Sequence, residues 1–189
     1  MNLILASNSP RRKDLLSSEG IKFSIISSDY EENAFSLNPE ITATTFAEGK
    51  AKSVFESLSD KENALVLGAD TVVYLDGEIL GKANSEKEAF DILKRLSGKT
   101  HRVITGYCLI SDTQKIIGKV VSEVTFNDLT DQQISDYIAS GLYKGKAGSY
   151  GIQDNFPLIK SYTGSLNNII GLPTEEVVQI IKKMLGENL

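Results

Sequence analysis

The fold of this chain is decided by the stretch Leu3-Ile4-Leu5-Ala6-Ser7-Asn8-Ser9-Pro10-Arg11-Arg12-Lys13-Asp14-Leu15-Leu16. Its apolar start predicts a short buried strand, which small polar residues then end. Ser9 suits the N-cap of a helix, and Pro10 suits the first helical position. Arg11 and Arg12 follow in the first turn, where acidic residues are normally favoured over basic ones. A phosphate group would satisfy both guanidinium groups and the free backbone N–H groups of that turn, whereas the alternative is a solvated pair of arginines.

Length and composition are those of one globular domain. The chain has 189 residues, of which 41% are hydrophobic and 24% charged, and this suffices for a sizeable core. A net charge of −5 argues against binding of a nucleic-acid polymer. The single cysteine, Cys108, excludes an internal disulfide, and no apolar run approaches the ~18 residues of a membrane span. Because the first apolar run is also too short for a signal peptide, we expect a cytoplasmic protein without a membrane partner, and leave a homodimer open.

The presence of only one histidine, His101, excludes several kinds of metal site and restricts which catalytic sites are possible. A histidine-rich zinc site and the HExxH pattern both need more histidines than the chain has. A Ser-His-Asp triad would need a GxSxG turn to hold its serine, and the sequence has none. The GxxxxGK[ST] loop and a strand-linked GxGxxG are also absent. If the chain is an enzyme, we expect carboxylates, lysines and arginines to carry the reaction, together with a hard metal bound through oxygen.

The strongest predicted strand, Ala64 to Leu75, contains a carboxylate. This segment is nearly continuously apolar, as a central strand covered on both faces would be. Asp70 interrupts it, and a buried carboxylate must be paired, protonated or bound to a metal. Gly68 thins the strand just before Asp70, so that another group can approach closely. Structural aspartates also occur at strand ends, but this context favours a functional one.

Two lysines stand out in the elements beside this strand. A helix is predicted over residues 38–59, and Lys50 falls inside its apolar stripe. An inward lysine must either reach solvent along the stripe or meet an anion. After a predicted turn at Asp76-Gly77, the chain returns with Lys82 to the region of Asp70.

Strands and helices alternate early in the chain, and a hairpin over residues 100–126 follows. Further strands are predicted at 22–26 and 156–162. This pattern predicts an α/β fold with one mixed, twisted sheet. The hairpin and its helix, residues 100–140, are predicted to form a smaller lobe, which leaves a cleft beside the larger one.

A glycine-rich segment, residues 141–153, follows this lobe. Glycine allows the backbone to approach a ligand closely, and lysine supplies charge for phosphate. Its tyrosines and Gln153 can stack on a base or hydrogen-bond to it. A surface loop without a ligand is the alternative interpretation.

Five motifs occur in an order and spacing that resemble one family: LILASNSPRRKDLL, GADTVV, LSGKTHRVITG, KAGSYGIQ and NNIIGLP. Together they span essentially the whole chain and look like the Maf family of nucleotide pyrophosphatases. The resemblance implies a single domain over residues 1–189, with the elongated mixed sheet, two lobes and central cleft of the inosine-triphosphate pyrophosphatases. It also implies hydrolysis of a nucleoside triphosphate to the monophosphate and pyrophosphate, with Mg²⁺ or Mn²⁺. Gln153 in the GIQ motif implies the subgroup that acts on dTTP, UTP and modified pyrimidine triphosphates.

The resemblance also implies roles for individual residues. Asp70 matches the proposed proton acceptor, and Thr71 matches the neighbouring specificity position. Whether Asp70 acts as a base or as a metal ligand stays open at this point. The other matches are Ser7, Arg11 and Arg12 in the first motif for the substrate, Glu32 for a metal, Lys50 and Lys82 for catalysis, and Lys146 and Gln153 in the glycine-rich segment for the substrate.

The chain departs from the family pattern at two places. Gly145 stands where the family usually has aspartate, and Asp154-Asn155 stands where it usually has further glycines. Both departures bear on metal binding and on the base pocket.

The family has been named for inhibition of septum formation, so a nucleotide-binding regulator of cell division with little turnover is the alternative. A kinase-like phosphotransferase is weaker, since the phosphate-loop motif is missing.

Overall fold

One mixed sheet organises the protein. A computed structural model of the chain describes residues 1–33 and 36–186. The strands are β1 (Asn2–Leu5), β2 (Ser24–Ile25), β3 (Ala64–Leu75), β4 (Glu78–Leu80), β5 (Thr100–Ile110), β6 (Lys115–Phe126) and β7 (Ile159–Thr163). Their order is β2-β1-β3-β5-β6-β7, and β4 pairs with β3 outside this path. Because β1 is parallel to β2 and β3 while the other pairs are antiparallel, the predicted mixed α/β sheet is confirmed.

Helices flank the sheet, and one of them packs unusually closely on it. The helices are α1 (Pro10–Ser18), α2 (Pro39–Ser57), α3 (Glu86–Leu96), α4 (Asp131–Ala139), α5 (Leu166–Ile170) and α6 (Thr174–Leu185). A Cβ atom at Gly68 of β3 would overlap the backbone carbonyl oxygen of Ala47 in α2, and one at Gly106 of β5 would overlap that of Ala43. The close approach predicted at Gly68 is therefore the approach of α2. In the described ranges, 1–33 and 36–186, no helix is both long and apolar enough to cross a membrane.

The structure shifts several predicted boundaries. The strand predicted at 22–26 is only two residues long, and the one predicted at 156–162 lies at Ile159–Thr163. Pro157 explains the later start, because proline has no N–H for a ladder. The short helix α5 was not predicted, since five residues give too little periodicity.

The apolar core consists of separate clusters on either side of a cleft. The largest packs α3 and α4 against the end of β3 and the start of β5, and it includes Val73, Val103 and Tyr150. Others pack α2, or α1 and α6, against β1 and the first half of β3. The cleft takes lining residues from both sides of this division. The assignment of residues 100–140 to a smaller lobe stays a prediction.

Candidate active site

All ten residues predicted for the site line one cleft of about 510 Å³. They are Ser7, Arg11, Arg12, Glu32, Lys50, Asp70, Thr71, Lys82, Lys146 and Gln153. They come from segments far apart in sequence, which the sheet brings together. β1 leads into the first group, α2 carries Lys50, and β3 carries Asp70 and Thr71.

A lysine between two carboxylates forms the charged centre of the cleft. Lys50 Nζ lies 2.6 Å from Asp70 Oδ1 and 2.6 Å from Glu32 Oε1. The inward lysine of α2 has therefore met anions, which was one of the two outcomes expected from its position in the stripe.

The two carboxylates differ in burial and in the direction of their pKa shifts. Asp70 is only 6% exposed, and burial raises its pKa although the charges of Lys50 and Arg12 oppose this. Burial acts in the same direction on Glu32, but the hydrogen bond and charge of Lys50, with the charges of Lys82 and Arg12, outweigh it and lower the pKa. Asp70 is therefore the better proton acceptor of the two near neutral pH.

The two arginines of α1 are held differently. Arg12 Nε donates to the carbonyl oxygen of Gly171 at 2.8 Å, and its Nη2 donates to Thr71 Oγ1 at 3.1 Å. Arg12 Nη1 also contacts Ser7 Oγ at 3.4 Å. Arg11 makes neither an ion pair nor a side-chain hydrogen bond within the described part of the chain. Burial lowers the pKa of both guanidinium groups, and the charges of Asp154 near Arg11 and of Asp70 and Glu32 near Arg12 oppose this only in part.

The start of α1 lines the cleft, and its first backbone N–H groups have no side-chain cap. Ser9 occupies the predicted N-cap position, but its side chain makes no capping hydrogen bond. Ser7 Oγ accepts the Ser9 N–H at 3.1 Å instead. Because acidic residues are absent from the first turn, the positive end of the helix faces Arg11 and Arg12 without an anion of its own.

The glycine-rich segment is anchored rather than loose. Gly148 N–H donates to the carbonyl oxygens of Leu80 and Gly81, and Lys82 pairs with Ala147 as an isolated bridge. Both tyrosines predicted as partners for a base, Tyr143 and Tyr150, are buried in the core, and only Tyr150 also lines the cleft. Gln153 and Lys82 are both exposed, and both line the cleft.

Lys146 has a partner inside the protein. Its Nζ lies 2.6 Å from Asp154 Oδ1 and 2.5 Å from Oδ2, and Lys146 is only 9% exposed. Tyr137 donates its hydroxyl to Asp154 Oδ2 at 2.6 Å and accepts the Gly151 N–H at 3.2 Å. Asp154 is the residue that departs from the family pattern, and here it neutralises the predicted phosphate-binding lysine. The role of Lys146 towards substrate stays a prediction.

Sequence reasoning missed four residues that support the predicted ones, directly or through one another. Tyr137 lies in α4, where the sequence offers no signal for its hydroxyl, and Asp154 stands out in the sequence only as a departure from the family pattern. Thr105 and Asn168, which support Thr71, lie in the motifs LSGKTHRVITG and NNIIGLP, but neither residue was singled out within its motif. The motif NNIIGLP contains Asn168, and it was the one signal available for it.

Comparisons with known proteins agree over nearly the full length. A family model described as Maf-like protein matches residues 2–184. A dTTP/UTP pyrophosphatase of Ruminiclostridium cellulolyticum is 43% identical over 188 residues, which cover 97% of this chain and 96% of that protein. A dTTP/UTP pyrophosphatase of Thermococcus kodakarensis is 44% identical over 185 residues, with 97% and 96% covered.

A solved structure supports the fold alone. The Staphylococcus aureus Ham1 protein aligns over 100% of both chains with a TM-score of 0.54 and 13% sequence identity. The family match and the relatives above carry the assignment of the chain itself. This chain belongs to the family of Maf-like proteins.

Proposed function

We propose that this protein hydrolyses dTTP and UTP to the nucleoside monophosphate and pyrophosphate. The observation that carries the proposal is the cleft itself, in which Arg11, Arg12 and Lys82, none in an ion pair within the described residues, lie beside two carboxylates that share Lys50. A triphosphate supplies the negative charge that these cations lack. The full-length relatives named dTTP/UTP pyrophosphatase support the same reaction.

The reaction needs a nucleophile, charge neutralisation and a departing pyrophosphate. Water attacks the α-phosphorus, the bond to the oxygen that bridges the α- and β-phosphorus breaks, and pyrophosphate leaves. Asp70 accepts the proton from water, since burial has raised its pKa. Lys50 contacts Asp70 through Oδ1, which leaves Oδ2 for this proton. Arg11, Arg12 and Lys82 offset the charge that develops on the phosphates.

A divalent metal fits the donor set of this cleft. Glu32 and Asp70 converge on one ammonium nitrogen, so their oxygens lie close enough to share a cation. Within residues 1–33 and 36–186, no group of three or more histidines, cysteines and carboxylates is placed to hold a metal. Mg²⁺ or Mn²⁺ would thus be held by phosphate oxygens, by Glu32 and by the Asp70 oxygen that does not take the proton, since Mg²⁺ commonly combines carboxylate and phosphate oxygens. When bound, the ion would neutralise phosphate charge.

We assign the recognition of a pyrimidine base to Gln153 in the glycine-rich segment. Gln153 is exposed in the cleft, and its amide can donate to and accept from a base edge. Thr71 and Arg12, which are hydrogen-bonded to each other, line the same cleft and complete the set proposed for specificity.

The regulator hypothesis is less well supported. A protein that only senses a nucleotide needs cations, but it has no need for a buried carboxylate with a raised pKa. Turnover separates the two functions, because a regulator would bind UTP without releasing pyrophosphate. A phosphotransferase would yield a nucleoside diphosphate instead.

The test is pyrophosphate release from UTP and dTTP by wild-type protein and by Asp70→Asn. We expect a fall of about 10²–10⁴-fold in turnover, which is the range for loss of a general base. Folding should persist, since Glu32 still pairs with Lys50. Asp91→Asn removes an exposed carboxylate outside the cleft and should leave turnover unchanged. Near-normal turnover by Asp70→Asn would remove Asp70 from the mechanism.

A further inference from the structure

A chain of hydrogen bonds runs from the buried interior to Arg12. Thr105 Oγ1 lies 2.9 Å from the carbonyl oxygen of Asn168 and 2.9 Å from Thr71 Oγ1. Thr71 Oγ1 in turn lies 3.1 Å from Arg12 Nη2. Each hydroxyl in this chain has one hydrogen, so the direction of every bond can be worked out.

The direction follows from the carbonyl at the inner end. The oxygen of Asn168 can only accept, so Thr105 donates its hydrogen to it. Thr105 has then no hydrogen left, and Thr71 must donate to Thr105. Thr71 therefore presents only an acceptor to the cleft, and Arg12 donates to this acceptor.

These contacts fix the guanidinium group of Arg12 and leave part of it open. Of its five N–H groups, one donates to the carbonyl of Gly171, one to Thr71 and one to Ser7. One N–H on each terminal nitrogen remains for a ligand. Two donors on one planar group match two oxygens of a phosphate.

The inner end of this series of hydrogen bonds is held rigidly by buried contacts. Asn168 and Thr105 are fully buried. The side chain of Asn168 accepts the Thr105 N–H at 3.1 Å and donates to the carbonyl of Val103 at 3.0 Å and to Ser122 Oγ at 2.9 Å. The carbonyls of Asn168 and Gly171 both belong to α5 and its C-terminal cap. The unpredicted helix therefore supplies two of the acceptors that orient Arg12, one directly and one through the threonines.

We infer that Thr105 and Asn168 are positioning residues, which set the hydroxyl direction of Thr71 and thereby hold the Arg12 guanidinium group towards the phosphates of the substrate. Neither residue contacts substrate itself. The inference rests on the proposed function for the identity of the ligand, a pyrimidine nucleoside triphosphate.

The test measures binding of an α,β-imido analogue of UTP, which is not hydrolysed, by calorimetry. Thr105→Val keeps the shape of the side chain but removes the hydroxyl, so we expect about tenfold weaker binding, or about 1.4 kcal/mol. Thr105→Ser keeps the hydroxyl and should bind within about twofold of wild type. Thr42→Val removes another fully buried hydroxyl, in α2 and outside the cleft, and should bind like wild type.

A double-mutant cycle separates positioning from a general loss of structure. In an Arg12→Lys background, Thr105→Val should weaken binding less than about twofold, because the group that it orients is already gone. Equal weakening in both backgrounds, or equal weakening by Thr42→Val, would overturn the inference. Thr71→Val breaks the same chain without leaving the Asn168 carbonyl unpaired, and it should repeat the result if Thr105→Val folds poorly.

Pyrophosphate release by the wild-type protein is measured in parallel. Tight binding of the analogue without release from UTP would refute the proposed reaction, while the cycle would still decide the role of Thr105. Release of pyrophosphate together with an additive cycle would refute the positioning role alone. Failure of the wild type to bind the analogue would overturn both.

Discussion

Replacement of Lys50 by methionine should destabilise the protein strongly. Lys50 Nζ lies 2.6 Å from each of Glu32 and Asp70, and its removal leaves two neighbouring carboxylates without a counter-ion in contact. Breaking a buried pair costs about 3–5 kcal/mol, and we take the lower end because the Glu32 side chain is 33% exposed. A loss of about 3 kcal/mol lowers the melting temperature of a chain of this size by about 6–12 °C.

The assay is chemical denaturation at pH 7 and pH 5, with Lys52→Met as the matched control. Lys52 lies on the same helix, but its side chain is 63% exposed, so its loss should cost at most about 1 kcal/mol. The deficit of Lys50→Met should shrink at pH 5, since the pKa of Asp70 is already raised by burial and protonation removes the unpaired charge. Addition of Glu32→Gln and Asp70→Asn should restore most of the stability but not turnover. A loss below about 1 kcal/mol, or no recovery in the triple variant, would refute this reasoning.

Three further predictions follow from buried contacts. Gly68→Ala should cost about 3 kcal/mol in denaturation experiments because the added Cβ meets the backbone of α2, whereas Gly81→Ala, in open space, should change stability by less than about 0.5 kcal/mol. Burial lowers the pKa of His101 to about 4, so the unfolded chain alone binds a proton between pH 6.5 and 4. Wild-type stability should thus fall by up to about 3 kcal/mol on acidification through this range, and His101→Phe should lack that part of the fall. Asp154→Asn should cost about 3 kcal/mol by leaving Lys146 unpaired, and Lys146→Met in the same chain should recover most of this loss in thermal unfolding.

The parts of the fold that were predictable are those with long regular patterns. β3 was predicted with its bounds because a nearly continuous apolar run that contains Val72 and Val73 and ends at the Asp76-Gly77 turn favours a central strand covered on both faces. The inward position of Lys50 was predictable since helical geometry fixes the direction of each side chain in α2. The site was indicated by the one charged residue in the apolar run of β3, Asp70, and by the charged residue in the apolar stripe of α2, Lys50. Their contact could not be read from either segment, because it depends on how closely α2 packs on β3.

Side-chain contacts that depend on how irregular or short segments fold could not be predicted from the sequence. Asp154 and Lys146 are eight residues apart in an irregular segment, and only the fold of that segment turns one towards the other. Tyr137 reaches Asp154 from α4, and its hydroxyl gave no signal in the apolar pattern of that helix. Asn168 lies in a five-residue helix, which is too short for periodicity to reveal. Only Asp154 is a direct polar partner of a predicted residue, Lys146, whose burial requires such a partner. Tyr137 and Asn168 act through Asp154 and Thr105, which were not predicted either.

The ion pairs sort the cations of the cleft into two kinds. Lys50 and Lys146 have carboxylate partners inside the protein, so their charges are largely neutralised before any ligand arrives. Arg11, Arg12 and Lys82 have no carboxylate within ion-pair distance among the residues that the structure describes. Like charges without a counter-ion in contact repel one another and lower stability, and of the two arginines only Arg12 offsets this with hydrogen bonds to the protein. A triphosphate removes this repulsion when it binds, and this accounts for the placement of two arginines where the helix itself would favour acidic residues.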